Sequence, residues 1–143
     1  MTSVDGLISF RSIHNPADTV DLLKIAIVSK GMTVMAEIDH ADAAKKVGQV
    51  LRPTTVLLFG NPKSGTSLMQ KGQTIGIDLP LKILVWQSED GETWLSYNDP
   101  FWLTRRHNIN GSALETAEAM SNALIAIARL ASGSETSADH QEL

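Results

Sequence analysis

The hydrophobic pattern of the chain changes several times between a period of two residues and a period of three to four, and each change predicts a new element. Over residues 32–39, the side chains of Val34, Ala36 and Ile38 face one way and their neighbours face the other, which is typical of a half-buried strand. The run over residues 54–59 is apolar on both faces, and it therefore predicts a central strand.

Two amphipathic helices are the longest elements in this pattern. Asn15 followed by Pro16 is typical of a helix start, and a helix is predicted from there to about Lys30, with Gly31 as its stop. Its buried stripe comprises Val20, Leu23 and Ile27, with Leu22 and Val28 as further candidates. Ser112 and Glu115 are spaced as in a capping box before a second helix over residues 113–131. The predicted buried side of that helix comprises Leu114, Ala117, Met120, Leu124, Ile127 and Ala131.

The remaining elements are shorter. The pattern predicts strands over residues 7–13, 81–87 and 92–97, and short helices over residues 40–48, from Ser64 and from Pro100. A turn at residues 88–91 joins the last two strands in a hairpin. The order predicts an α+β fold, a curved, largely antiparallel five-stranded sheet with helices on one face, in strand-helix-four strands-helix order. We expect a single α+β domain over residues 1–132 and a disordered C-terminal tail over residues 133–143.

Composition restricts the class of protein without defining a function. The 143 residues are 43% hydrophobic and 20% charged, as in a globular domain. The formal charge of −4 gives no basic patch for nucleic acid, so no nucleic-acid partner is expected. The chain has no cysteine, no secretory leader in its first ten residues and no apolar run of about 20 residues. We therefore expect a cytoplasmic protein without a membrane partner.

The most informative segment follows the predicted central strand, where Gly60 and Gly65 enclose an Asn-Pro turn and a helix begins. The spacing imitates a phosphate-binding P-loop, but that loop needs a lysine directly after its second glycine. Here Thr66 and Ser67 follow Gly65, and Lys63 lies inside the loop. A strand-to-helix turn is therefore the favoured interpretation. A weaker hypothesis is that the amides and hydroxyls of residues 65–67 hold a carboxylate or phosphate.

Three other groups of polar residues have a functional and a structural interpretation. His40 lies beside Asp39 and Asp42, which suggests a metal site or an acid–base pair. These residues lack the i, i+4 spacing of metal-binding motifs, so a helix-capping role is favoured. Residues 105–107, Arg-Arg-His, complement the carbonyl end of a short helix, and an anion clamp is the alternative. Asp99 before Pro100 is typical of a helix cap, and a general base is the alternative.

Three motifs in order carry a resemblance to a known family. Residues 59–62 with 65–66 and 68–69, then residues 79–82, then residues 97–100, resemble the bacterial and archaeal domain-of-unknown-function family 302 over about residues 6–130. The resemblance implies a fold similar to the topology of the TATA-binding protein, often as a homodimer, and it implies no activity. The family's motif positions in this chain are Asn61, Pro62, Thr66, Asn98, Asp99 and Pro100.

Two hypotheses of function follow. The favoured one is a non-catalytic small-ligand-binding or assembly module, a homodimer that holds a small anionic or apolar ligand. Its candidate ligand-binding residues are Asn61, Gly65, Thr66, Ser67, Asn98 and Asp99, and no catalytic residue, cofactor or metal is assigned. The alternative is a small-substrate enzyme using acid–base chemistry at Asp99, His40 or His107. The enzyme hypothesis requires an acid or imidazole beside a pocket with a second polar group within hydrogen-bond reach, and the binding hypothesis does not.

Overall fold

The computed structural model describes residues 3–133, which form five strands, five α-helices and one 3₁₀ helix. The strands are β1 (Leu7–Ser12), β2 (Thr33–Asp39), β3 (Thr54–Gly60), β4 (Leu81–Gln87) and β5 (Thr93–Asn98). The helices are α1 (Pro16–Ser29), α2 (His40–Lys46), α3 (Pro62–Lys71), the 3₁₀ helix (Gln73–Asp78), α4 (Pro100–Arg106) and α5 (Ala113–Ser132). The predicted disordered tail lies outside the described residues except for its first residue, Gly133, and it stays a prediction.

The five strands form one sheet in the order β1-β5-β4-β3-β2, and every neighbouring pair is antiparallel. This confirms the predicted α+β fold class with its five-stranded antiparallel sheet. The hairpin of β4 and β5 is also confirmed, with Trp86 opposite Trp94. Because β3 and β5 both run antiparallel to β4, their carboxyl ends lie at the same end of the sheet, two strands apart.

The core lies between the sheet and the α1–α5 pair, which pack against each other. Alternate strand residues point into this layer, and Phe10, Leu57, Ile83 and Leu95 are 0–2% exposed there. The buried stripes predicted for both helices are largely confirmed; their buried members are Val20, Leu23 and Ile27 in α1 and Ala117, Met120, Leu124, Ile127 and Ala131 in α5.

Two predicted core positions were wrong. Val28 is 64% exposed and Leu114 is 38% exposed. Val28 lies about 100° around the helix from Ile27, outside the buried stripe. Ala113 is buried instead of Leu114, because it continues the four-residue spacing from Ala117.

Three local predictions also need correction. Ser112 does not form a capping box, because its backbone is already helical (φ −63°, ψ −21°) and its side chain makes no capping hydrogen bond. The alternation of β2 is interrupted by a bulge at Met35, between Val34 and Ala36. Helix α3 begins at Pro62 rather than Ser64, since the Asn-Pro pair itself forms the helix start.

The second face of the sheet, here called the open face, carries the other alternate residues. Its apolar members include Val56, Leu58, Leu84, Trp86 and Trp94, which are only partly buried, and the exposed Ile38. Trp86 and Trp94 stack with ring centroids 6.3 Å apart. The indole of Trp86 donates to the Ser96 hydroxyl at 2.8 Å, and Ser96 in turn bonds Ser9 at 2.7 Å. Trp86 therefore contacts a buried pair of serine side chains that joins the edge strand β1 to β5.

Candidate functional site

A cavity of about 430 Å³ lies at the end of the sheet where β3 finishes and β2 and β4 begin. Four of the five methionines in the chain line it, and the fifth, Met1, is outside the described residues. They come from the residues before β2, from β2, from α3 and from α5, and they are Met32, Met35, Met69 and Met120. Methionine side chains are flexible and polarizable, so this wall can adapt to an apolar guest.

The polar part of the cavity wall comes from α3 and the end of α1. Asn61, Ser64, Gly65 and Thr66 line it, together with Lys30. Pairing of Thr33 with Gly60 brings the end of α1 beside the start of α3. Among residues 3–133, Lys30 is the only charged residue that lines the cavity. The structure therefore brings three of the six predicted ligand-binding residues, Asn61, Gly65 and Thr66, to one cavity.

The helix start at Asn61 uses its amides internally. The Asn61 side chain accepts from the Lys63 amide at 2.9 Å, and the Asn61 carbonyl accepts from the amides of Ser64 and Gly65 at 3.1 and 3.2 Å. Pro62 has no amide proton to offer. The expected anion site on the Gly65 amide therefore lacks a free donor, and an anion here has to be met by side chains.

The hydroxyls of this helix differ in what they contact. Ser67 donates to the Lys63 carbonyl at 3.0 Å and does not line the cavity. Ser64 and Thr66 have no hydrogen-bond partner for their hydroxyls among residues 3–133, and both line the cavity. Of the two predicted hydroxyl ligands, Thr66 thus lines the cavity and Ser67 does not.

The other two predicted ligand-binding residues lie elsewhere. Asp99 borders a separate cavity of about 450 Å³ beside β1 and α4, whose lining includes Gly6, Trp102 and Arg105. Its carboxylate accepts from the Phe101 amide at 3.0 Å, as predicted for a helix cap.

Asn98 pairs with Leu7 in the sheet and borders neither this cavity nor the methionine-lined one. The two motifs do lie at the same end of the sheet, but β4 stands between them. The six candidate ligand-binding residues therefore do not line one common cavity, and the start of β4, with Pro80 and Leu81, lines only the methionine-lined one.

A partly buried polar cluster joins the 3₁₀ helix to the end of α4. The Nε2 atom of His107 lies 2.5 Å from Oδ2 of Asp78, and Nδ1 lies 2.8 Å from the Thr74 hydroxyl. One guanidinium nitrogen of Arg106 contacts both carboxylate oxygens of Asp78 at 2.8 Å. Sequence reasoning named Arg106 and His107 but missed Thr74 and Asp78, since no spacing rule connects residues about thirty positions apart.

The acids around His40 have structural partners. Asp39 caps α2 by accepting from the Asp42 amide at 2.8 Å, which confirms capping as its role. Asp42 pairs with Lys46 at 3.0 Å on the helix surface. A wider groove of about 750 Å³ beside this helix includes both acids and the fully exposed Val50. Two of its polar side chains are therefore already engaged in structural contacts.

Two groups near these sites have shifted pKa values. Burial lowers the pKa of Lys82, and the nearby Asp78 carboxylate opposes that change. The Lys82 ammonium donates to the carbonyls of Asp78 and Pro80, each at 3.0 Å. Burial, assisted by the negative charge of Asp99, raises the pKa of Tyr97 far above its ordinary value. Among residues 3–133, the Tyr97 hydroxyl is buried without a hydrogen-bond partner.

The fold and its cavities define an α+β domain with an antiparallel sheet, and comparison with known proteins gives its family. A family model described as "Domain of unknown function DUF302" matches residues 8–127. The chain therefore belongs to the DUF302 family. A crystal structure described as an uncharacterized conserved DUF302 protein from Bacillus stearothermophilus has the same fold, with a TM-score of 0.80 at 19% identity. The match covers 90% of this chain and 99% of that one. Likeness to the TATA-binding-protein topology stays a prediction.

Curated relatives share more sequence but are longer. A protein named Fluoride-specific ion channel FluC 1, from Brucella suis biovar 1, is 39% identical over 128 residues, covering 90% of this chain and 50% of that protein. FluC 1 of Brucella abortus biovar 1 is also 39% identical, and the match covers 47% of it. The chain thus spans about half the length of the curated relatives it matches. In the part of the chain that the structure describes, none of the helices has the length and apolar character needed to cross a bilayer.

Proposed function

We propose that this DUF302 domain is a non-catalytic module that binds a small molecule in the methionine-lined cavity. The observation that carries the proposal is the cavity itself, about 430 Å³ with an adaptable apolar wall and a few polar groups. Pockets of roughly 300–1,000 Å³ with mainly apolar walls and a few placed polar groups are typical of small-molecule sites. The hydroxyls of Ser64 and Thr66 have no protein partner among residues 3–133, so both are available to a bound molecule.

Native mass spectrometry of the purified full chain tests this proposal. We expect the wild-type protein to retain a small-molecule adduct that is lost on denaturation. Ala123→Phe, which places a large side chain in the cavity wall, should abolish the adduct. A bare wild-type mass, together with no thermal stabilisation by any compound in a broad screen of small metabolites, contradicts the proposal.

We also propose that the module acts as a cytoplasmic homodimer. The support is the apolar open face, where five half-buried side chains gather on one side of the sheet around Trp86 and Trp94. Stable protein interfaces have a central apolar region enriched in aromatic residues. The resemblance to the family points to the same assembly.

The fluoride-channel name belongs to relatives about twice the length of this chain. For such relatives we propose that the matching half is an accessory binding domain beside the ion pathway. The absence of a spanning helix among residues 3–133 supports this assignment. Sodium fluoride should then stabilise the isolated chain no more than sodium chloride does. A fluoride-specific rise in the melting temperature would assign the ion itself as the ligand.

A second candidate function is an enzyme, and the His107 contacts favour it. Its imidazole bridges a hydroxyl and a carboxylate, the arrangement that activates a nucleophile in hydrolases. None of Thr74, Asp78 and His107 lines the three cavities described above, so this candidate ranks second. Hydrolysis of an activated acetyl ester that is lost in both Thr74→Val and His107→Gln would favour it.

A further inference from the structure

We infer that the ligand of the methionine-lined cavity is an amphipathic carboxylate, with its aliphatic chain among the methionines and its carboxylate near Lys30. This inference rests on the proposed binding function and specifies the chemical class of the ligand. It follows from three features of the cavity: its charge, its free polar donors and its volume.

The charge of the cavity is the opposite of that of the chain. The chain carries 16 acidic and 12 basic residues, yet among residues 3–133 no acid lines this cavity and one lysine does. Lys30 forms no ion pair with any residue that the structure describes. A cationic ligand would meet an unpaired ammonium group here, whereas an anionic head group would be attracted to it.

The free donors of the cavity come from the start of α3, which strand pairing places beside the end of α1, where Lys30 lies. The hydroxyls of Ser64 and Thr66 have no protein partner within residues 3–133, and Asn61 uses its side-chain oxygen for the Lys63 amide. The side-chain amide nitrogen of Asn61 is therefore left as a donor. An ionised carboxylate is an acceptor only, so it matches a wall whose uncommitted groups can all donate.

The remainder of the wall defines the other end of the ligand. Beyond the methionines it consists of aliphatic or small groups, and they include Leu79, Pro80, Leu81, Ala119 and Ala123. A water molecule has a share of about 30 Å³ in the liquid, so 430 Å³ holds on the order of ten to fifteen heavy atoms. That size matches an aliphatic carboxylate of medium length, whereas a bare metal ion or inorganic phosphate would leave most of the cavity empty.

Calorimetric titration of the full chain with matched probes tests the inference. The probes are decanoate, decanol and decylammonium, which share a ten-carbon chain, and acetate, which lacks it. We expect decanoate to bind about 1.5- to fivefold more tightly than decanol, the range for one exposed ion pair. Decylammonium should bind more weakly than decanol, and acetate should not bind measurably.

Variants of the cavity wall test whether Lys30 binds the carboxylate and whether the ten-carbon chain lies in this cavity. Lys30→Gln should reduce decanoate affinity to that of decanol and leave decanol unchanged. Lys63→Gln removes the same charge from a residue that does not line the cavity, and it should change neither affinity. Ala123→Phe should abolish binding of all ten-carbon probes, and Ala119→Phe, at an exposed position on the same wall, serves if the first variant does not fold.

The outcomes separate this inference from the proposed function. Equal binding of decanoate, decanol and decylammonium would overturn the carboxylate while leaving a binding cavity in place. Unchanged decanoate binding in Lys30→Gln would overturn the role of that lysine and with it the inference. Absence of binding by every probe would overturn the inference, and the native-mass adduct then decides whether the cavity binds another class of molecule.

Discussion

Asp78 and His107 are in direct contact across 29 positions of sequence, with 2.5 Å between Oδ2 and Nε2. The contact fastens the end of the 3₁₀ helix to the end of α4, and Arg106 strengthens it from the exposed side. The side chains of Asp78 and His107 are only 14% and 7% exposed. Because the neighbouring Gly76 and Leu79 line the methionine-lined cavity, this contact also holds one wall of the candidate site in place.

Asp78→Asn should therefore lower the free energy of unfolding by about 1–3 kcal/mol, since it weakens the contacts of the Asp78 carboxylate with Arg106 and His107 in a partly buried cluster. Urea denaturation at neutral pH measures the change. Asp42→Asn is the matched control, because Asp42 forms an exposed helix-surface pair with Lys46 and should cost about 0.5 kcal/mol or less. Equal losses in the two variants would show that the Asp78 cluster contributes no more than a surface pair.

Tyr97→Phe should raise the free energy of unfolding by about 1 kcal/mol at neutral pH. The hydroxyl is buried without a partner among the described residues, so the substitution removes an unsatisfied polar group. The ring itself remains to stack on Phe10, whose centroid is 6.2 Å away. A loss of stability of about 1 kcal/mol or more in urea denaturation would mean instead that the hydroxyl makes a favourable interaction.

Tyr97 should also make the stability of the fold depend on pH. Burial raises the pKa of Tyr97 in the folded protein above the ordinary value of 10.0, so the unfolded chain releases the phenolic proton first. Stability should fall as pH rises above about 10, and Tyr97→Phe should remove this part of the loss. Lys82 acts in the opposite direction, because its lowered pKa makes stability rise as pH increases toward 10.5.

Comparison of wild type and Tyr97→Phe at pH 8 and pH 11 isolates the tyrosine. Lys82 is present in both proteins, so its effect cancels in the difference. Tyr97 is the single tyrosine of the chain, and the absorbance of tyrosinate reports its ionisation directly. Ionisation in the folded protein near pH 10 would contradict the raised pKa.

Two glycines should respond in opposite directions to alanine. Gly65 lies inside α3, and an added Cβ would meet Leu79 at 3.7 Å, an ordinary contact, so Gly65→Ala should stabilise the protein by about 0.5–1 kcal/mol. Gly6 has φ +74°, and its added Cβ would lie 2.3 Å from the Trp102 ring. Gly6→Ala should therefore cost about 2–4 kcal/mol. Thermal unfolding measures both, and a stabilising Gly6→Ala would contradict the close packing of Trp102.

Leu84→Glu should convert the proposed homodimer to a monomer, because it places a carboxylate in the centre of the open face. Light scattering of the wild type should give about twice the monomer mass of 15.5 kDa, and the variant should give the monomer mass. Leu130→Glu is the matched control, since Leu130 is 55% exposed on α5 and away from the open face. A monomeric wild type at high micromolar concentration would refute the dimer.

The elements themselves could be predicted from the sequence because their signals are local. Asn15, Asn61 and Asp99 each accept a hydrogen bond from an amide two or three residues further along, and each precedes a proline. The hairpin depends in the same way on four consecutive turn residues. Such patterns involve neighbouring residues only, so they indicate helix starts, strands and the α+β class without knowledge of the tertiary structure.

The site depends on contacts between distant parts of the chain, and only the tertiary structure determined it. The four methionines of the cavity lie at positions 32, 35, 69 and 120, and the pairing of β2 with β3 and the packing of α5 bring them together. Asp78 and His107 have no sequence signal that connects them. Asn61 and Asp99 carry equivalent local signals yet face different cavities, because one intervening strand separates β3 from β5. Local chemistry determined the elements, and strand order and helix packing determined which of their residues meet.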